Sequence, residues 1–345
     1  MYSYYKRKDR WNRSRDMTIS RPSAEMLAAE DRVREIAGSL GGPPADPAAM
    51  RDFLRSAGAW WNEGGPATVT EQDIQVEADG HVLAARLYRP QGGEDGPVWI
   101  YCHGGGFRFG GIETNGRQLR EIASLWGGNI LSLDYPHLPG AAFPVAVETI
   151  AKAFEQLRRQ GERIGVDGAR MAWGGASAGA SIAAGAAVEA EANGLRLAAG
   201  VLICPVVNGD LGTASMTSHG EGPWFPSRAM AAETWLAYTG TSDVGADPRC
   251  NLLKTDPRLL PPILIAAAEI DIFQSGAEAF ARHLSLSGQP VRHLVYPGVT
   301  HLFFNYSRTL SAARQCTADI ARFLTEQLPV AKTADNLTKG ERPWS

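Results

Sequence analysis

The stretch RMAWGGASAG, residues 170–179, places a serine between glycines where a predicted strand meets a predicted helix. Residues 169–174 are an apolar run of strand length, and residues 177–192 form an alanine-rich helical segment. Glycine on either side of Ser177 permits a tight, strained turn. Such a turn lifts the hydroxyl above the carboxyl end of a sheet and directs a helix N-terminus at developing negative charge. Ser177 is therefore the predicted nucleophile.

A second glycine-rich stretch, HGGGF at residues 103–107, directly follows the strand predicted at 97–102. Three consecutive glycines leave backbone N–H groups free to point at one spot, as the oxyanion of an acyl-transfer intermediate requires. The other interpretations are a flexible turn and a phosphate-binding loop. A phosphate site favours a lysine beside the glycines, and the next basic residue here is Arg108. The pattern favours an oxyanion-binding loop.

The base and its orienting acid are expected after the serine, in the order acid and then histidine. Asp271 and His301 each lie just past an apolar run of strand length. Carboxyl ends of parallel strands meet at one edge of the sheet, where open α/β sheets place their sites. Glu269 and Glu278 are rival acids, and the other six histidines lie before the acid, within a helix or inside a strand. The order predicts Asp271 as the acid and His301 as the base.

Apolar strands alternate with amphipathic helices through most of the chain, which predicts an α/β fold with a mostly parallel sheet covered on both faces. The predicted strands are 97–102, 129–134, 169–174, 198–204, 262–268 and 290–296. The predicted helices are 117–126, 145–160, 177–192, 276–287 and 309–328.

Two regions differ from this alternation. Residues 23–62 are predicted to form two helices separated by the GGPP sequence at 41–44, and residues 72–88 a hairpin that turns at Asp79 and Gly80. Residues 210–250 interrupt the later part of the chain with a loop and one helix. The aromatic residues of this interruption are Trp224, Phe225, Trp235 and Tyr238.

The composition is that of an ordinary globular enzyme, with 345 residues, 44% of them hydrophobic and 21% charged, and a net charge of −3. That balance indicates neither nucleic acid nor an anionic membrane as a partner. No apolar run reaches the ~18 residues of a membrane span, and none follows the basic residues at 1–16 as in a secretory signal. The four cysteines are scattered without metal-ligand spacing, which predicts reduced thiols, no metal site and a cytoplasmic protein.

These motifs together resemble the bacterial hormone-sensitive-lipase-like family of α/β-hydrolase esterases. The resemblance covers about residues 65–328 and includes HGGGF, the GASAG turn, the LPP sequence at 260–262 before the strand that leads to Asp271, and His301. It implies an α/β-hydrolase fold with an eight-stranded sheet, an N-terminal helical cap, carboxylic ester substrates with short acyl chains, and no cofactor. Dimers are frequent in the family, which makes a homodimer plausible. The site residues implied are a Ser177–His301–Asp271 triad and oxyanion donors from Gly105, Gly106 and Ala178.

The resulting domain division has four parts. Residues 1–16 are a basic tail, expected to be disordered or to precede a start at Met17, and residues 17–65 are the helical cap segment. Residues 66–330 are the catalytic domain, in which 210–250 form a lid insertion. Residues 331–345 are a loose polar tail.

Three places depart from the family pattern. Ala176 precedes the serine where aspartate or threonine is common, and Ile272 follows the acid where proline is usual, with an acidic residue beyond it. The family's tyrosine-arginine-leucine-alanine-proline stretch after the fourth strand reads YPHLP at 135–139. These loops shape the pocket, so the departures bear on substrate preference.

The residues predict a serine carboxylesterase that cleaves short- to medium-chain or aryl esters of small molecules through an acyl-enzyme. Two alternatives stay open. A serine hydrolase of amides, carbamates or lactones uses the same residues, and a non-catalytic binding protein on this scaffold requires loss of a triad member. Phe107 and Trp224 are the predicted pocket residues, since they flank the oxyanion loop and the insertion. Further aromatic candidates are Trp60, Trp61, Phe109, Phe225 and Phe273.

Overall fold

The computed structural model describes residues 20–78, 80–240 and 245–330. The predicted tails at 1–16 and 331–345 lie outside these ranges, as does Asp79 of the predicted hairpin turn. Within the described ranges, none of the helices is both long and apolar enough to cross a membrane.

One eight-stranded sheet forms the centre of the molecule, in the order β1-β2-β4-β3-β5-β6-β7-β8. Its strands are β1 (Val69–Ala78), β2 (His81–Pro90), β3 (Gly96–Cys102), β4 (Asn129–Leu133), β5 (Val166–Ala176), β6 (Ala199–Ile203), β7 (Ile263–Ile270) and β8 (Val291–Thr300). β2 pairs antiparallel with β1 and β4, and the other neighbours pair parallel. The predicted mostly parallel sheet of eight strands is confirmed.

Helices cover both faces of this sheet. They are α1 (Ala24–Ser39), α2 (Pro47–Asn62), α3 (Gly116–Trp126), α4 (Val145–Gln160), α5 (Ala178–Ala192), α6 (Ala214–His219), α7 (Arg228–Thr239), α8 (Gln274–Leu286) and α9 (Ser311–Gln327). One core lies between the sheet and α4, α5 and α8, and the other between the sheet and α1, α3 and α9. Neighbouring side chains of β3 divide between them, with Ile100 in the first core and Trp99 in the second. Strands buried on both faces read as continuous apolar runs for this reason.

The two N-terminal helices are present as predicted. The side chains of Ser23 and Asp46 accept from the first-turn N–H groups of α1 and α2, which fixes where each helix begins. α1 docks on the end of β8, where the Ser23 N–H donates to the Gly298 carbonyl at 2.8 Å. The Thr300 hydroxyl of the same strand end donates to the buried carboxylate of Glu30 at 3.1 Å. These contacts hold α1 against the end of β8, the strand that His301 follows.

The 210–250 segment departs from its prediction, because its described residues, 210–240 and 245–250, carry two helices, α6 and α7, where one was predicted. Thr213 accepts from the Met216 N–H, and Ser227 accepts from the Met230 N–H, so two separate N-caps start two separate helices. The six residues of α6 are too few for a clear hydrophobic period, which explains why the sequence pattern missed them.

Candidate active site

Ser177 lies on a sharp turn between β5 and α5. Its backbone has φ 53° and ψ −123°, a conformation that costs about 1–3 kcal/mol and persists only where surrounding contacts hold it. The Ser177 N–H donates to the Ile203 carbonyl at 2.8 Å. A Cβ added at Gly175 or Gly179 would lie 2.2 Å from the Cys102 carbonyl oxygen. The end of β3 therefore packs directly on the turn, and both glycines are required by that close approach.

The structure brings the predicted nucleophile, base and acid into one hydrogen-bonded chain. His301 Nδ1 lies 2.6 Å from Asp271 Oδ2, and His301 Nε2 lies 2.8 Å from Ser177 Oγ. A carboxylate only accepts, so the Nδ1–H donates to Asp271 and Nε2 accepts from the serine hydroxyl. Asp271 Oδ1 also accepts from the Phe273 N–H at 3.0 Å. The side chains of His301 and Asp271 are 2% and 1% exposed, so the pair is shielded from bulk water.

The rival acids have other surroundings. Glu269 accepts from the Ser20 hydroxyl at 2.6 Å and from the Gly298 N–H at 2.7 Å. These two hydrogen bonds hold the pKa of the Glu269 carboxyl below its usual value. Glu278 lies within α8. Among these carboxylates, Asp271 is the one in contact with His301.

The HGGGF loop lies against the serine turn. A Cβ added at Gly104 would be 3.6 Å from the Ser177 Cβ. Gly105 has φ +145°, and a Cβ there would lie 1.9 Å from the Phe109 carbonyl oxygen, so this position accepts no side chain. In the described part of the chain, the predicted oxyanion donors donate to no carbonyl and no side chain. They are the backbone N–H groups of Gly105, Gly106 and Ala178.

A cavity of about 440 Å³ opens beside the serine and the histidine. α2 lines one side and the 210–250 segment another. The predicted pocket residue Phe107 lines it and stacks face to face on Tyr238 with ring centroids 3.8 Å apart. Trp224 lies outside this lining, and its neighbour Phe225 is part of it. Side-chain direction in an irregular segment follows no period, so the sequence did not decide between these neighbours. Of the further aromatic candidates, Trp61, Phe109 and Phe273 line the cavity and Trp60 does not.

Sequence reasoning missed Cys204 as a neighbour of the site. It follows β6 with φ +45°, is 3% exposed and lines the cavity. Its sulfur lies within 4.8 Å of a carboxylate oxygen of Asp271 and a ring nitrogen of His301. Burial, reinforced by the Asp271 charge, raises the pKa of the Cys204 thiol well above its usual value, so the thiol stays protonated. Its place at a strand end, next to the strand of Asp271, is the signal that could have found it.

Residues 99–305 match the model of a protein family described by its alpha/beta hydrolase fold. The match spans more than half of the chain and contains the serine turn, the glycine loop, the acid and the histidine. The chain is an α/β hydrolase of the hormone-sensitive-lipase-like family. The resemblance inferred from the motifs and the predicted fold class are confirmed.

Solved structures of similar shape support this family assignment. A thermostable esterase from Pseudomonas putida superposes with a TM-score of 0.79 and 26% sequence identity, covering 90% of this chain and 98% of that one. An esterase from Pyrobaculum calidifontis gives a TM-score of 0.77 and 29% identity, with 82% and 94% covered. An ester hydrolase from the metagenome of Lake Arreo gives 0.79 and 27%, with 88% and 98% covered.

The structure explains how this α/β hydrolase accommodates its departure after the acid. Ile272 is 2% exposed and packs with Met216 of α6 and Ala231 of α7. The Ser215 hydroxyl donates to the Ile272 carbonyl at 2.7 Å, and the Ser275 N–H donates to that hydroxyl at 3.0 Å. The loop that carries the acid is therefore anchored on the 210–250 segment, so that segment bears on the position of the acid as well as on the cavity wall.

Proposed function

We propose that this chain is a serine carboxylesterase that works through an acyl-enzyme on Ser177. The observation that carries the proposal is the continuous chain of hydrogen bonds from Asp271 through His301 to the serine hydroxyl. The family and the esterases among its structural neighbours support a carboxylic ester hydrolase. The buried Cys204 thiol, which stays protonated, is no competing nucleophile.

The proposed mechanism follows from the contacts. His301 Nε2 takes the proton of Ser177 as the serine Oγ attacks the ester carbonyl carbon. Asp271 keeps the imidazole in the required tautomer and stabilises the imidazolium that forms. The imidazolium then protonates the leaving alcohol, which leaves an acyl-enzyme. Water, deprotonated by the same nitrogen, releases the acid and restores the serine.

The glycine loop and the first N–H of α5 stabilise the negative charge of the tetrahedral intermediate. The N–H groups of Gly105, Gly106 and Ala178 make no other hydrogen bond among the described residues, so they need not break one to bind an oxyanion. Each such donor contributes about 3 kcal/mol of transition-state stabilisation.

The volume and the aromatic lining of the cavity support acyl groups of short to medium length or aryl esters as substrates. Its volume of about 440 Å³ is shared between the acyl and alcohol parts of the ester. Phe225 and Phe273 supply apolar, planar walls beside the histidine, and Phe107 lines the same cavity. In this proposal α1, α2 and the 210–250 segment act together as the cap over the substrate.

Hydrolysis of p-nitrophenyl esters from acetate to dodecanoate tests the proposal. We expect turnover to fall beyond medium chains and to disappear in Ser177→Ala. Ser287→Ala, which removes an exposed hydroxyl at the end of α8, is the matched control and keeps wild-type rates. A fluorophosphonate probe should modify Ser177, and peptide mass analysis identifies the modified residue.

The outcomes separate the alternatives. Full turnover by a folded Ser177→Ala enzyme contradicts the proposal. Labelling of Ser177 without turnover of any ester in the series points to an amide, carbamate or lactone. The absence of both labelling and turnover points to a binding protein.

The proposal also includes the cellular location and the oligomeric state of the protein. All four cysteines are free and buried, which fits a reducing compartment and supports the predicted cytoplasmic location. A homodimer stays a prediction, which the molar mass measured by light scattering tests.

A further inference from the structure

Behind the glycine loop, the side chains of His103, Asp134 and His137 converge. His103 follows β3, while Asp134 and His137 follow the adjacent strand β4. His103 Nε2 lies 3.5 Å and His137 Nε2 lies 3.8 Å from the same carboxylate oxygen, Asp134 Oδ1. One ligand atom from each residue lies within 4.8 Å of the other two. None of these three residues belongs to the proposed triad.

These three polar atoms are buried, and each lacks a hydrogen-bond partner among the described residues. His103 is fully buried, and its other ring nitrogen, Nδ1, lies 3.0 Å from the Gly104 carbonyl oxygen. A carbonyl only accepts, so Nδ1 carries a proton, and in the neutral imidazole Nε2 presents a lone pair. That lone pair faces the oxygen of Asp134, and a buried pair of acceptors is unfavourable unless a proton or a metal ion lies between them.

We propose that His103, Asp134 and His137 bind a divalent transition-metal ion of the Zn²⁺ class. Two imidazole nitrogens and a carboxylate oxygen are a ligand set that suits such ions. Tetrahedral bonds of about 2.0–2.2 Å separate neighbouring ligand atoms by roughly 3.3–3.6 Å. The two nitrogen–oxygen distances, 3.5 and 3.8 Å, are close to that separation. The ligand atoms of the two histidines lie within 4.8 Å of each other, so side-chain rotation that brings them closer completes the geometry. The Asp134 side chain is 40% exposed, which leaves a path from solvent and room for water as a fourth ligand.

The charged neighbours of this site lie on α2. Arg51 and Arg55 are within electrostatic range of the Asp134 carboxylate. Both side chains are exposed, so solvent screens their repulsion of a cation. The site therefore binds an ion by its buried ligands rather than by a negative surface.

The ion joins the start of the glycine loop to the loop after β4. Two hydrogen bonds already connect these loops, from the Tyr135 hydroxyl to the His103 carbonyl at 2.9 Å and from the Leu138 N–H to the Phe107 carbonyl at 2.8 Å. A metal bond to His103 adds a third connection one residue before the glycines. Its role is to stabilise the loop, and it takes no part in the bond-breaking steps.

The sequence prediction of no metal site rested on cysteine spacing, whereas this ligand set comes from adjacent strands. His137 also falls where the family stretch has leucine, so the cluster includes one of this chain's own departures. The substitution His137→Leu therefore removes a ligand while installing a residue that the family pattern accepts.

Titration of the tag-free, chelator-treated protein with Co²⁺ and Zn²⁺ tests the site. We expect the wild type to bind one equivalent of metal per chain. In His137→Leu and in Asp134→Asn the affinity for that metal should fall at least about 100-fold. Zn²⁺ should raise the melting temperature of the wild type and leave that of His137→Leu unchanged. His81→Gln, which removes the histidine that begins β2, is the matched control and retains the equivalent.

The triad neighbourhood offers a competing ligand set, Cys204, Asp271 and His301. Co²⁺ held there by the sulfur gives a thiolate charge-transfer band that the proposed site lacks, and His301→Gln removes it. The proposal predicts that one equivalent of Co²⁺ binds without that band and still binds in His301→Gln. It is overturned if the wild type binds no metal, or if folded His137→Leu and Asp134→Asn bind as tightly as the wild type.

Discussion

Gly105 provides a sharp test of the proposed oxyanion loop, because the structure leaves no room for a side chain there. In Gly105→Ala the new Cβ would lie 1.9 Å from the Phe109 carbonyl oxygen and 2.5 Å from its carbonyl carbon. The backbone also has φ +145°, which L side chains rarely adopt. The loop has to move for the variant to fold.

The size of the effect follows from these distances. An ordinary contact requires about 3.4 Å, so the loop shifts by more than 1 Å, and the Gly105 N–H shifts with it. A displacement of about 1 Å costs on the order of 10²-fold in rate, and loss of one oxyanion donor costs about 10²–10³-fold. We expect kcat of Gly105→Ala to fall by about 10²–10³-fold. KM should change much less, since the donor acts on the transition state.

Gly106→Ala is the matched comparison on the same loop. Its φ is +60°, but the nearest atom to the new Cβ is the Thr234 Cγ2 at 3.7 Å, an ordinary contact. Backbone strain of about 1–2 kcal/mol is the expected cost of keeping the loop conformation. Relief of that strain depopulates the competent loop by less than about 30-fold, so kcat should fall by no more than that. Steady-state hydrolysis of p-nitrophenyl butyrate measures both variants, with thermal unfolding as the check on folding. A folded Gly105→Ala enzyme whose kcat falls no further than that of Gly106→Ala would refute the reasoning.

Three further outcomes are expected. Asp271→Asn should lower kcat for the same ester by up to about 10⁴-fold by favouring the wrong tautomer of the base, and a loss under tenfold would contradict the acid assignment. Gly179→Ala should lower the melting temperature by roughly 3–10 °C, because the new Cβ would lie 2.2 Å from the Cys102 carbonyl oxygen. Gly38→Ala is the control: its new Cβ has no atom within 4 Å, so the melting temperature should not fall. Hydrogen bonds from Ser20 and Gly298 lower the pKa of Glu269 in the folded protein. The ionised carboxylate therefore stabilises the fold at pH values above its pKa in the unfolded chain, and this stabilisation is lost as the pH falls through the pKa in the folded protein. The stability advantage of wild type over Glu269→Gln in urea unfolding should therefore shrink as the pH is lowered from about 5 into the acid range, and a constant difference would disprove the coupling.

Much of the fold was predictable because its signals are local. The central strands lie between two helical layers, so their sequences are continuous apolar runs, and the helices between them carry an apolar face. The break between α1 and α2 was predictable from GGPP for the same reason. The short α6 was not, since its six residues form too few turns to show a period.

The sequence by itself determined that Ser177, Asp271 and His301 would meet. Each follows a strand of one parallel sheet, and hydrogen bonding between parallel strands brings all their carboxyl ends to the same edge, whatever the intervening loops contain. Only the tertiary structure decided which loop side chains reach that edge. It placed Phe225 rather than Trp224 in the cavity wall and brought Cys204 beside the acid. It also brought the ring centroids of His103 and His137, which follow neighbouring strands, to within 5.3 Å of each other. Side-chain direction in an irregular segment is set by packing against distant residues, and no periodicity in the chain encodes it.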